Sequence, residues 1–234
     1  MQTTGMLALV GGDEWSEGCS FDASLLAASG GTDVVILPTA AAYQHPEHVV
    51  LRASEWFGPL GAQVEGLMVM DRASADDLGM AAAVRQARFI YLADGSPLHL
   101  RAVLKKSAVF DALREAWAAG AVVAGAGAGA MVLTDPMVDP RGGALTLGLG
   151  LLDNLTVVPH SAADHDHANG QKLQRTVVMA PPTLPVVALP PRTALVRRPD
   201  ATWTHEGVGE PVVFVGGAPT SGLGALGALG ALGA

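Results

Sequence analysis

Three short stretches of this sequence carry residues able to do chemistry. The first is Ala121 to Met131, AVVAGAGAGAM. Ala121 to Ala124 reads as a short buried strand, Gly125 to Gly129 as a tight turn, and the apolar run through Met131, Val132 and Leu133 as the opening of a helix. Strand, glycine turn and helix make the geometry of a nucleophile elbow, in which G-x-S-x-G lifts a serine above a sheet. The central residue here is Gly127, which accepts positive φ without a Cβ clash but has no side chain with which to attack. The second stretch is Asp94-Gly95-Ser96, directly after FIYL at 89–92. The third begins at VVPH, 157–160, and continues through Asp164, His165, Asp166 and His167. His160 and Asp94 make a base and an acid for proton transfer across one pocket.

Other groups compete for a role. His165 and His167 stand two apart, which suits one face of a strand or a loop, and with His160, Asp164 and Asp166 they form a set able to hold zinc or a similar divalent ion. A polar surface loop is the favoured reading, and no cofactor is expected. Gly125 to Gly129 does not have the G-x-G-x-x-G spacing of a dinucleotide site and no Walker lysine follows it, so packing and backbone geometry are favoured over phosphate binding. Arg101 and Lys105 share a helix face and, with Arg141, would make a basic pocket for an acidic ligand; a solvated helix surface is the favoured alternative. Cys19 and Ser96 are substitute nucleophiles only in name, since nothing nearby in sequence lowers a thiol pKa or activates a hydroxyl. Trp15, Trp56 and Trp117 read as packing residues.

These residues need elements to position them. Met6 to Val10, Val34 to Leu37, a strand within Ala62 to Met70, Phe89 to Leu92 and Ala121 to Ala124 are apolar runs bounded by turn residues. Helices are expected over Ala23–Ala28 with Asp22 as cap, from Pro46 to Trp56, over Asp76–Ala87 with Ser74 as cap, and over Leu98–Lys105 and Ala108–Ala119. Five such alternations predict a three-layer α/β/α domain around a mostly parallel sheet. In that architecture functional groups collect at strand C-termini, where Gly11-Gly12, Thr39, Asp94-Gly95-Ser96 and Gly125 to Gly129 all fall. Beyond the elbow, Ala144–Leu151, Leu155–Val158, Val186–Leu189, Ala194–Arg197 and Val212–Val215 read as strands of a mixed or antiparallel C-terminal extension. Residues 1–220 make one domain. Residues 221–234 repeat Gly-Ala-Leu and are expected to be a disordered appendage.

Composition narrows the partners. Half of the 234 residues are hydrophobic, enough for a substantial core, and the net charge is -8, which argues against a phosphate-backbone ligand. One cysteine fits a reducing compartment and excludes an internal disulfide framework. The opening MQTTGMLALVGG has no basic segment ahead of its short apolar run, and no window approaches a membrane span. A cytoplasmic protein without nucleic-acid or membrane partners is the expectation, and a homodimer is compatible with the chain.

The ordered set LVGG at 9–12, LPTA at 37–40, IYLADGSPLHLRAVLK at 90–105, VVAGAGAGAMVLTDPMVDPRGG at 122–143 and VVPH at 157–160 resembles the peptidase E and cyanophycinase family of serine peptidases. The resemblance implies the class I glutamine amidotransferase-like, flavodoxin-like fold and substrates carrying aspartyl groups. It places the nucleophile at Gly127, after Ala126, and the general base at His160. Asp135 or Asp139 would be the acid partner. Gly95, Ser96 and Ala128 would border the substrate, with Arg101 and Arg141 as its basic contacts. Two departures stand out. The family elbow reads G-[ST]-S-A-G-A where this chain has glycine, and the family's glycine pair after the fourth strand is here Asp94-Gly95, a carboxylate where an oxyanion needs donors. The expected function is therefore a peptidase E-like protein without its serine: a ligand-binding pseudoenzyme, or a small-molecule enzyme re-purposed around His160 and Asp94. Its ligand would be a small molecule or an acidic peptide. The alternative is an active hydrolase of aspartyl dipeptides or related amides, using another nucleophile or water.

Overall fold

Side chains alternate along each central strand, and the two sets go to different cores. Leu7 and Leu9, Val35 and Leu37, Ile90 and Leu92 enter one cluster; Ala8 and Val10, Val34 and Ile36, Phe89 and Tyr91 enter the other. A strand apolar on both faces must be covered on both, so the sheet lies between two helical layers. The computed structural model describes residues 4–161 and 167–231.

In chain order the elements begin β1 (Leu7–Val10), α1 (Phe21–Ser29), β2 (Asp33–Leu37), α2 (Pro46–Phe57), β3 (Gln63–Gly66), α3 (Arg72–Ala75), α4 (Leu78–Gln86) and β4 (Phe89–Leu92). Next come α5 (Pro97–Leu104), α6 (Ala108–Ala118), β5 (Val122–Ala126) and α7 (Ala128–Leu133). Four two-residue strands follow, β6 (Thr134–Asp135), β7 (Met137–Val138), β8 (Leu145–Thr146) and β9 (Leu152–Asp153). The chain continues with β10 (Thr156–Pro159), α8 (His167–Met179), β11 (Val186–Leu189), β12 (Thr193–Arg197), β13 (Trp203–Gly207), β14 (Val212–Val215) and β15 (Ala218–Pro219).

The main sheet runs β13-β12-β1-β5-β4-β2-β3. Its five N-terminal strands are parallel, and β12 and β13 add antiparallel at the β1 edge. Helices α1 and α2 cover one face through Phe21, Leu25 and Phe57; α4 to α7 cover the other through Val84, Leu100, Leu113 and Val132. A second sheet, β10-β11-β14-β15, carries His160 at the end of β10. The three-layer fold and its mixed C-terminal extension are as the sequence implies.

Local differences have physical reasons. Ala144–Leu151 is not one strand: only Leu145–Thr146 pairs, and Gly148 packs against the Thr134 carbonyl with its N–H on Asp135. Ser74 does not cap the long helix; Asp71 caps α3 in a capping box with Ser74, and Asp77 caps α4. Strand β13, absent from the reading, mixes polar and apolar residues without a clean period. The tail also differs from expectation. Gly224–Ala231 is a 3₁₀ helix, and Leu226 is buried in the larger core with Leu223 against it. A repeat of three has no α-helical or strand face, but it matches the three residues per turn of a 3₁₀ helix, and Leu226 is the leucine of the repeat seated in the core. Among the described residues no helix is long and apolar enough to cross a membrane.

Asp22 is the sharpest local difference. It lies inside α1 rather than before it, is fully buried, and accepts a 2.9 Å hydrogen bond from Trp56 Nε1. Its other oxygen, the Tyr91 hydroxyl and the Trp15 indole N–H are buried without protein partners. Burial pushes the Asp22 carboxyl up to about 8. The folded chain therefore holds a proton there that the unfolded chain releases above its ordinary value of 3.8, so stability falls as pH rises from about 4 toward about 8. Urea unfolding of Asp22→Asn should show a flatter decline of the midpoint across that range than the native chain. An unchanged slope would remove Asp22 as its source.

Candidate active site

The C-terminal ends of β1, β5 and β4 lie side by side, with Val10 opposite Ala126 and Leu92 opposite Gly125. The turns that follow these strands, and His160 from the second sheet, therefore meet at one edge. His160 is tied there by its N–H on the Gly11 carbonyl at 2.8 Å, and its imidazole lies so close over Gly12 that a Cβ at that residue would stand 2.0 Å from the ring.

Gly127 has φ 46° and ψ -104°, a backbone shape that side-chain-bearing residues adopt only under strain. The elbow is thus formed as the sequence implies. The space above it is taken. A Cβ on Gly127 would lie 2.1 to 2.2 Å from the carboxylate of Asp94. That carboxylate stands in the volume where a side chain at the elbow would begin.

Three donors hold it. Asp94 Oδ1 accepts the Ala128 N–H at 2.7 Å and the Gly95 N–H at 2.6 Å, and Oδ2 meets His160 Nε2 at 2.9 Å. Two backbone N–H groups, one following β4 and one opening α7, are thus engaged by a fixed carboxylate. Burial alone would push the Asp94 carboxyl up, but the His160 hydrogen bond and the two N–H donors outweigh it and hold the group below its ordinary range. The same hydrogen bond from Asp94 raises His160 above its usual value against the opposing effect of burial. Each partner thus favours the charged form of the other, at the edge of an open cleft of about 580 Å³.

One functional group escaped the sequence reading. Glu14 is 5% exposed; its Oε1 accepts the Asp94 N–H and a hydrogen bond from Arg52 of α2, each at 3.3 Å. Asp13 at φ 52° and Trp15 at φ 57° flank it, and this strained loop turns Glu14 inward beneath the Asp94 turn. Burial first, and the Asp94 charge second, push the Glu14 carboxyl up. The available signal was an acidic pair directly after Gly11-Gly12 at a strand end, where functional groups collect.

The remaining expected site residues are not brought together. Asp135 accepts the Gly148 N–H, and Asp139 pairs with exposed Arg141 at 2.6 Å, which lowers its carboxyl to about 2. Lys105 donates to the Gly148 carbonyl, and the Arg101 Nε is buried without a partner. Among the described residues the basic side chains that line the cleft, besides His160, are instead His48, Arg52 and Lys172. Ser96 is the N-cap of α5, accepting the His99 N–H, and Cys19 is buried, with its thiol raised by burial. Trp15 and Trp56 pack as expected, and Trp117 donates to the Gly5 carbonyl. Asp164, His165 and Asp166 lie outside the described residues, as does the side chain of His167 at the start of α8. Among the described residues no cluster of three or more histidine, cysteine or carboxylate side chains is placed to hold a metal.

Peptidase family S51 matches residues 7–202. The chain belongs to this family. Cyanophycinases of Synechococcus elongatus and of Thermosynechococcus vestitus are each 26% identical over 177 residues, which cover 74% of this chain and 55% of theirs. The chain thus spans about half the length of these curated relatives. A peptidase from an acI-B1 Actinobacterium has the same fold with TM-score 0.82 and 26% identity over 94% of each chain. A putative peptidase E from Listeria monocytogenes EGD-e has a TM-score of 0.67 at 18% identity, covering 88% of this chain and all of that one, and shows the fold alone.

Proton titration of His160 reads its pairing with Asp94 directly. In the native chain its imidazole should titrate above the ordinary histidine value near 6.5. Asp94→Asn should bring it down by removing the carboxylate that favours the charged ring. Glu14→Ala should do the same in part by releasing the Asp94 turn, with Glu14→Gln closer to native. NMR of the imidazole carbon-bound protons measures all four, and a value indifferent to Asp94 would contradict the pairing.

Proposed function

We propose that this S51 chain is no serine peptidase but a small-molecule enzyme re-purposed around Asp94 and His160. The observation that carries the reading is the overlap of the Asp94 carboxylate with the place of a Gly127 side chain. A serine at the elbow needs that volume for its Oγ and needs the Ala128 and Gly95 N–H groups for the substrate oxyanion; one carboxylate takes both. The two departures from the family pattern are therefore one structural exchange. What remains is a proton-exchanging pair in a polar cleft bordered by Asp13, Glu14 and Gln44 as well as by basic side chains, which suits a small polar ligand.

Cleavage of aspartyl dipeptides tests this. The native chain should release no amine. Gly127→Ser alone should stay silent, because its Cβ meets the Asp94 carboxylate, and Asp94→Gly alone has no nucleophile. The double variant Asp94→Gly/Gly127→Ser should exceed both by at least about a hundredfold, the scale on which oxyanion donors act. Hydrolysis by the native chain would overturn the reading in favour of a peptidase using water or another nucleophile.

A further inference from the structure

The structure assigns to Asp94 the role of nucleophile toward an epoxide, through a covalent ester whose carbonyl oxygen is Oδ1. This rests on the reading of Asp94 and His160 as the working pair, and it names the reaction. The two carboxylate oxygens are in different settings. Oδ1 is engaged by the Ala128 and Gly95 N–H groups, whereas Oδ2 meets His160 at the cleft. An acyl substrate would need those two N–H donors for its own carbonyl, and they are taken. Attack at a saturated carbon needs no such donors in its first step, because no oxyanion forms on the substrate carbon. The cleft is polar and charged, which suits a polar electrophile better than an alkyl halide.

The chemistry balances without a further reagent except water. Oδ2 forms a bond to the less hindered ring carbon, the ring carbon–oxygen bond breaks, and the ring oxygen keeps its electron pair. The His160 imidazolium, which has just lost its anionic partner, supplies the proton to that oxygen through water at the cleft mouth. Asp94 is now a neutral hydroxyalkyl ester, and His160 is a neutral base beside it. His160 then takes a proton from a water that attacks Asp94 Cγ, and the negative charge of the tetrahedral adduct develops on Oδ1. That oxygen already lies 2.6 and 2.7 Å from two backbone N–H groups. The adduct expels the alkoxide, which takes the proton back from His160 and leaves as a diol. The new carboxylic acid proton passes to His160, restoring the ion pair. The donors that the fixed carboxylate blocks toward acyl substrates are thus correctly placed for hydrolysis of its own ester.

Single turnover of glycidamide, a small polar epoxide, by excess native chain in heavy-oxygen water separates the possibilities. The proteolytic peptide containing Asp94 should gain one heavy oxygen, and the first diol released should carry only light oxygen at the attacked carbon. His160→Gln should accumulate the peptide with the mass of one glycidamide added, and the adduct should map to Asp94 and not to the peptide holding Asp13 and Glu14. Heavy oxygen delivered straight to the diol, with Asp94 unlabelled, would overturn the proposal. So would the absence of both turnover and Asp94 adduct in the two proteins. Either failure leaves the dipeptide assay untouched, so the nucleophile assignment and the loss of peptidase chemistry fall or stand separately.

Discussion

One carboxylate, seated on two backbone N–H groups and one imidazole, determines what the rest of this structure can do. The seat exists because three strand ends converge and because a glycine at the elbow leaves room for it. Hydrogen bonds to a charged group are each of order 1.5–3 kcal/mol, and three together outweigh the cost of partial burial, which is why Asp94 stays ionised. The sheet, the strained loop through Glu14 and the second sheet that delivers His160 can all be understood as the frame that keeps those donors aimed.

Much of the frame was legible in the residues. The alternation of short apolar runs with capped helices led to the three layers, and the turn residues after β1, β4 and β5 marked the edge where chemistry collects. The glycine at 127 and the acid at 94 were also visible, each as a separate departure from the family pattern. What could not be read was that they are complementary. Their separation in sequence hides a distance of about 2 Å between one residue's Cβ position and the other's carboxylate, and only the parallel pairing of β4 with β5 brings them together. Glu14 stayed hidden for a related reason: its inward aim depends on positive φ at Asp13 and Trp15, which those residue types do not announce.

Elsewhere the misreadings share a cause. Asp22 has the residue type of a helix cap, yet it lies two positions past the N-cap Ser20, where tertiary packing buries it against Trp56. Arg101, Lys105 and Arg141 carry the right charge for an acidic ligand, but none of them lines the cleft, while Arg52 lines it and pairs there with Glu14. Charge type is local and legible; the direction in which a charge points belongs to the packing of helices on the sheet. The Gly-Ala-Leu tail shows the reverse case, since its period did contain its structure once a helix with three residues per turn is admitted.

The clearance over Gly127 also couples two positions far apart in the sequence. With the Asp94 carboxylate in its present seat, any Cβ at residue 127 would stand 2.1 to 2.2 Å from it, so the two cannot share that volume. A side chain placed at 127 therefore obliges Asp94 to turn away, which frees the Ala128 and Gly95 N–H groups and parts the carboxylate from His160. Residues 94 and 127 thus behave as a single unit of sequence: a change at either is felt at once by the other.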